Sequence, residues 1–206
     1  MSSASANIPP VEPWLAHLRR ETERFADVVT QSPLLAHVPA WARSCRTKAV
    51  SLPHHVGDRP AGLIAPQVTV EVGVHRWDVE SVLGEHAPIP SDLAVQDVES
   101  VFTNFAPRLA ASGVADIGGT VWLRTTDTPA AWSARVSDGR LVTERAADSP
   151  DDAAVTVTGL AQDIALLVWK RAVPPRPELG VTGSVDVLKR FLVTDYIPDL
   201  RTTPAH

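Results

Sequence analysis

Val68-Thr69-Val70-Glu71-Val72-Gly73-Val74-His75-Arg76-Trp77-Asp78-Val79-Glu80 reads two ways, and the fold turns on the choice. Val68, Val70, Val72 and Val74 alternate with Thr69, Glu71 and Gly73, a strand pattern rich in β-branched residues. Val68, Val72, His75, Val79 and Val82 also share one face of a helix, as do Glu71 and Asp78, and Gly84 makes a C-terminal stop. Either period puts Glu71 and His75 on one face, because four residues are two strand repeats or about one helical turn. On a helix, a carboxylate and an imidazole so spaced can reach one divalent metal, and Asp78 is placed to orient the imidazole. The competing reading is a surface Glu–His pair contributing roughly a few tenths of a kcal/mol.

Toward the N-terminus, residues 1–12 are small and polar and read as a disordered lead. Pro13 stands where a helix accepts proline, and Trp14, Leu18, Phe25, Val28 and Val29 follow at helical spacing. His17 and Glu21 are a second His/Glu pair four apart, read as solvent-facing or satisfied. Residues 33–62 are broken by Pro33, Pro39, Pro53 and Pro60 and form a long connection, with a helical turn near Ala40–Ala49. That connection carries Cys45 among Arg43, Arg46 and Lys48, surroundings that favour a thiolate, and the loop pair His54-His55.

Toward the C-terminus, residues 91–112 read as a helix capped by Ser91, with Leu93, Val101, Phe105 and Leu109 in a buried stripe. Strands follow at Thr120–Thr126, Trp132–Val136, Arg140–Glu144 and Ala154–Thr158. Asp138-Gly139 between the second and third is a hairpin signal. Leu160–Ala172 is a buried helix, Leu179–Thr182 a short strand, and Ser184 caps a last helix carrying Leu188, Phe191 and Leu192. The fold class is α+β: helices first, then three or four antiparallel strands packed by two helices.

Composition narrows the function. The chain has 206 residues and a net charge of −5, so there is no basic footprint for nucleic acid. One cysteine excludes an intramolecular disulfide and makes a cytoplasmic setting the expectation. Met1–Asn7 has neither the basic nor the apolar region of a secretory signal. The apolar run Ile164–Trp169 is far short of the roughly 20 residues a membrane span needs.

Val74-His75-Arg76-Trp77-Asp78-Val79-Glu80 resembles the His-Arg-Trp-Asp signature of the mycothiol-dependent maleylpyruvate isomerase family. The resemblance extends upstream to Gly57-Asp58-Arg59-Pro60-Ala61-Gly62. Downstream it runs through Thr120–Thr128, Trp132, Ala154–Gly159, Asp163, Trp169-Lys170-Arg171 and Val181-Thr182-Gly183. It implies a DinB-type helical bundle over residues 13–112, in which the 71–80 stretch is helical. It also implies a sterol-carrier-like α+β domain with a small antiparallel sheet over 118–200. Glu71 and His75 match two of the family's three ligands to a divalent metal, usually zinc. The third, a His on the second helix, has no match, because too few residues lie between Pro39 and Gly57 for helices two and three. Trp41 would be a remnant of that region; His54 and His55 lie in the loop before the fourth helix and match polar loop residues there, a reading preferred over an improvised third donor.

The resemblance further implies mycothiol as thiol cosubstrate. Arg171, with Arg124 as runner-up, would be the arginine that holds substrate carboxylates. The reaction implied is metal-assisted addition of the thiol to a small electrophilic acid, with isomerisation or thiol transfer. The alternative is a non-catalytic, truncated member that binds a small ligand or a protein. With two bundle helices missing, apolar residues including Trp14, Leu18, Phe25, Val72 and Val79 point to a homodimer through the N-terminal helices.

Overall fold

A computed structural model describes residues 12–31, 61–84, 87–106, 113–146, 148–171 and 176–194. The chain divides into two compact units, Met1–Ile89 and Pro90–His206. Trp41, Cys45, His54, His55 and the helical turn expected near Ala40–Ala49 lie outside the described residues.

The first unit pairs helix α1 (Glu12–Gln31) with helix α2 (Ala61–Leu83). The ambiguous stretch is helical throughout, and Gly84 ends it with a φ of 78°. The buried side of α2 is not the expected one. Thr69, Val70, Gly73, Val74 and Trp77 are buried, whereas Glu71, Val72, His75, Asp78 and Val79 are half-exposed. The valines run all round this helix, so periodicity could not select a face; Trp77 and Arg76 did, by their bulk and partners. Leu18 is half-exposed, and the side chains of Trp14 and Phe25 lie outside the described set.

The second unit begins with α3 (Ser91–Ser100), which widens into a π-helical turn, Val101–Phe105. Five strands follow: β1 (Thr120–Thr125), β2 (Ala131–Ser137), β3 (Arg140–Arg145), β4 (Ala153–Gly159) and β5 (Gly180–Gly183). Helix α4 (Ala161–Val168) lies between β4 and β5, and α5 (Val185–Val193) closes the described chain. The sheet order is β3-β2-β1-β4-β5. The α+β class is as expected, but the sheet has five strands and is mixed, because β4 returns beside β1 parallel to it. Asp138 and Gly139 take positive φ of 52° and 70°, the tight hairpin their sequence announced.

One face of this sheet is closed. Val121, Leu123, Trp132, Ala134, Val155 and Val157 are sealed from solvent, and α4 packs on β1 and β4. α3 packs on α4, with Leu93, Ala94, Val98, Val101 and Phe102 buried. The opposite face carries Trp122, Arg124, Ser133, Arg135, Thr156, Thr158 and Thr182, all half-buried or exposed. Residues 146–152 must travel from the end of β3 to the start of β4, three strands away. The Thr120 hydroxyl donates to Asp152, just before β4, at 3.0 Å.

Candidate functional site

β1 is the central strand, and its alternation sends Trp122 and Arg124 to the second face. Register sets Trp122 between Ser133 of β2 and Thr156 of β4, and Arg124 between Ala131 and Thr158. A tryptophan is out of place among these hydroxyl-bearing neighbours. It is half-buried, and its indole Nε1 is sealed from solvent with no acceptor among the described residues. A buried donor without a partner costs about 1–3 kcal/mol. Arg124 is exposed and makes no hydrogen bond or ion pair among the described residues. Sequence reading named Arg124 but missed Trp122, although a bulky ring in the polar register of Thr120-Val121-Trp122-Leu123-Arg124 was a visible signal.

The scaffold beneath is pinned by tryptophans and carboxylates. Trp132 on β2 donates its indole N–H to Glu99 of α3 at 2.9 Å. Arg145 reaches the same carboxylate at 2.9 Å, its guanidinium 6.0 Å from the Trp132 ring. Trp169, just past α4, donates to Asp97 of α3. Asp127, in the β1–β2 turn, accepts from the backbone N–H of Ala161 at 2.8 Å and from the Ser91 hydroxyl at 2.6 Å. Burial alone would raise the Asp127 pKa, but these two bonds outweigh it and hold the carboxyl below its ordinary value. Ser91 is therefore not the N-cap of α3; Pro90 precedes the helix, and the Ser91 side chain serves Asp127.

Asp163, in the first turn of α4, is 6% exposed and has an oxygen, Oδ2, without a hydrogen-bond partner among the described residues. Burial pushes its pKa up and the charge of Glu178 adds to that, while Arg176 opposes. Arg171 follows the end of α4. Lys170 takes a φ of 60°, and the N–H groups of Lys170 and Arg171 close on the carbonyls of Leu167 and Leu166, a Schellman cap. The Arg171 guanidinium donates to the Trp169 carbonyl at 2.8 Å and lies 5.6 Å from that ring.

In the first unit, Glu71, His75 and Asp78 share the half-exposed side of α2. His75 Nδ1 lies 3.3 Å from the Asp78 carboxylate, the orienting contact expected from the sequence. No group of three His, Cys, Asp or Glu residues among the described ones could hold a metal ion. The described side chains thus offer the Glu71–His75 pair but not a complete donor set. Beside them, Arg76 is fully buried and donates to Glu21 of α1 at 2.6 Å and to Glu80. Glu80 also accepts from Arg24 at 2.9 Å and from the backbone N–H of Ala87 at 2.9 Å. Glu21 is accordingly a buried ion-pair partner, and His17 is half-exposed within 2.8 Å of Arg20.

No family model and no curated protein matches this chain. Among solved structures it is similar to sterol carrier protein 2 like 2 from Aedes aegypti, at 17% identity over 47% of this chain and 94% of that one, with a TM-score of 0.35. It is also similar to sterol carrier protein 2 from Yarrowia lipolytica in its apo form, at 15% identity over 52% and 97%, with a TM-score of 0.35. A third is the UbiJ-SCP2 ubiquinone synthesis protein, at 18% identity over 49% and 91%, with a TM-score of 0.32. Likenesses at this level carry no weight for the site.

Proposed function

We propose that this chain binds a small, largely apolar molecule, and that the sheet of its second unit receives it. The observation behind this reading is Trp122. A ring on the polar side of a central strand, half-buried and edged by the hydroxyls of Ser133 and Thr156, offers an apolar platform with polar groups at its rim. The opposite face of the same sheet is already filled. No helix among the described residues is long and apolar enough to cross a membrane. A titration with the neutral probe N-phenyl-1-naphthylamine tests the reading. Saturable fluorescence gain is expected for the full chain and its loss in Trp122→Ala; no saturable binding, or binding indifferent to Trp122, would count against it.

Thiol chemistry of the mycothiol-dependent isomerase type is a second reading, favoured by one contact, the Asp78 carboxylate at His75 Nδ1. A histidine so oriented is suited to bond a metal through its other ring nitrogen. With two donors among the described residues, zinc is expected to bind weakly and below one ion per chain. Metal analysis after dialysis against a mild chelator checks this, and stoichiometric zinc lost in both Glu71→Gln and His75→Ala would favour the enzyme.

A further inference from the structure

We infer that Asp163 is a proton-operated catch for β5. Protonated, its carboxyl lets the chain entering that strand seat against α4; ionised, it releases residues 176–183 from the sheet edge. The inference does not depend on what the face around Trp122 binds.

Three segments meet at Gly159, the last residue of β4. A Cβ there would lie 2.8 Å from Leu179 Cδ2, 3.2 Å from the Glu178 carbonyl oxygen and 3.6 Å from Asp163 Cβ. The missing side chain thus lets the first turn of α4 and the chain entering β5 close over the end of β4. Leu179 is buried in this junction, whereas Arg176 and Glu178 are exposed. The Asp163 carboxyl accepts from the backbone N–H of Leu160, but its Oδ2 is sealed from solvent with no hydrogen-bond partner among the described residues. A neutral carboxyl tolerates such a place; a charged one carries a desolvation cost there that no hydrogen bond on that oxygen offsets.

The surrounding charges add to this. Glu178 in the chain entering β5 and Asp127 in the β1–β2 turn repel a charge on Asp163, and Arg176 attracts it. α4 has no other ionisable residue, and β4 has none. On β1 the only one is Arg124, on the face away from α4. On α3, Asp92 is exposed, Asp97 is engaged by Trp169, and Glu99 by Trp132 and Arg145. Burial first, then Glu178, hold the Asp163 pKa above its ordinary 3.8. The closed junction therefore binds the proton more tightly than an open one. Its contribution to closure is fully present below pH 3.8 and is lost as pH rises through the raised value.

Of the two sides of the junction, β5 is the one that gives way. Every residue of α4 except Gln162 is buried, and the helix packs on α3, β1 and β4. β5 has four residues, three of them exposed, and pairs with β4 alone. Local opening is drawn from such weakly held elements. The N–H of Ser184 bonds the Ala154 carbonyl at 2.8 Å, so strand alternation also turns the N–H groups of Thr182 and Gly180 toward β4. These three amides report the catch. Lifting uncovers the edge of β4 at Thr156, the strand neighbour of Trp122.

Amide hydrogen exchange of the full chain at about pH 4 and about pH 7, with labelling times scaled to the intrinsic rate at each, tests the catch. The amides of Gly180, Thr182 and Ser184 should lose protection several-fold at the higher pH, while those of Val121 and Leu123 on β1 keep theirs. Asp163→Asn should hold the three amides at their low-pH protection at both values. Two changes at exposed positions act in opposite directions: Glu178→Gln should shrink the loss, and Arg176→Ala should enlarge it. These two decide the matter even where the Asn variant folds poorly. Protection that does not change with pH overturns the inference, as does a loss that survives in a folded Asp163→Asn chain. A loss untouched by both Glu178→Gln and Arg176→Ala overturns it as well. So does an equal loss at Val121 and Leu123, since the whole sheet would then loosen.

Discussion

Asp127 and Asp163 are carboxylates three dozen residues apart in sequence that serve one helix start with opposite electrostatics. Asp127 gives its oxygens to Ala161 N–H and Ser91, which favours its charged form. Its folded pKa is depressed, so its contribution is present above the unfolded value of 3.8 and is lost as pH falls through the folded one. Asp127→Ala is expected to lower stability at neutral pH by about 1–2 kcal/mol, as loss of a helix cap does, and to remove that part of the acid sensitivity; denaturant melts across acid pH measure both. Asp163 is the reverse case. Burial first, then Glu178, raise its folded pKa, so the native state holds the proton more tightly, and stability is lost as pH rises through the raised value. Asp163→Asn should therefore stabilise the chain at neutral pH and leave it little changed in acid. A melt in which the variant is weaker at both ends would disprove this. Neither role was legible in the sequence, since an aspartate in a turn and one in a helix's first turn are both ordinary there.

Helices α1 and α2 show what periodicity can and cannot decide. Valines on every side of α2 left its buried face undetermined, and the face that carries Glu71 and His75 turned out half-exposed. The orientation comes instead from Arg76, whose sealed guanidinium needs Glu21 on α1 and Glu80 one turn along. An ionic partner 55 residues away in sequence leaves no local pattern, so this link could not be read beforehand. The hairpin at Asp138-Gly139 was legible for the opposite reason: its chemistry is contained in two adjacent residues. Arg76→Met would leave the Glu21 carboxylate without its buried cation and Glu80 with Arg24 alone, and removing one partner of such a buried group costs about 3–5 kcal/mol. The helical signal of the first unit should fall accordingly, whereas Glu21→Gln and Glu80→Gln combined with Arg76→Met should recover much of the loss. Equal instability of the triple and single variants would show that the charges are incidental to the pairing of α1 with α2.

At the scale of the whole chain, the helical and sheet regions could be told apart from composition and spacing, while the second compact unit begins at Pro90, ahead of α3. A helix at 91–112 looks like the last of a helical domain, because nothing in its own residues says what it packs against. Two indoles far downstream decide the matter. Trp132 and Trp169 direct their N–H groups to Glu99 and Asp97, one on each side of a single turn of α3, and draw that helix into the second unit. The π-helical widening at Val101–Phe105 follows directly, with Val101 and Phe102 buried. A fragment spanning 90–206 should therefore fold alone, with about the length of an ordinary small domain. It should unfold cooperatively and keep the indole N–H groups of Trp132 and Trp169, as well as the sealed one of Trp122, protected from solvent exchange. A fragment beginning at 113 lacks Leu93, Ala94, Val98, Val101 and Phe102, several of them large enough to contribute about 1.5–3 kcal/mol each on burial. It also strips both indoles of their acceptors, at about 1–3 kcal/mol apiece. Against a total stability of about 5–15 kcal/mol, that fragment should not hold a native sheet. Proton exchange of the tryptophan indoles in the two fragments decides between the boundaries: protection in the fragment from 113, or its absence in the fragment from 90, would return α3 to the helical unit.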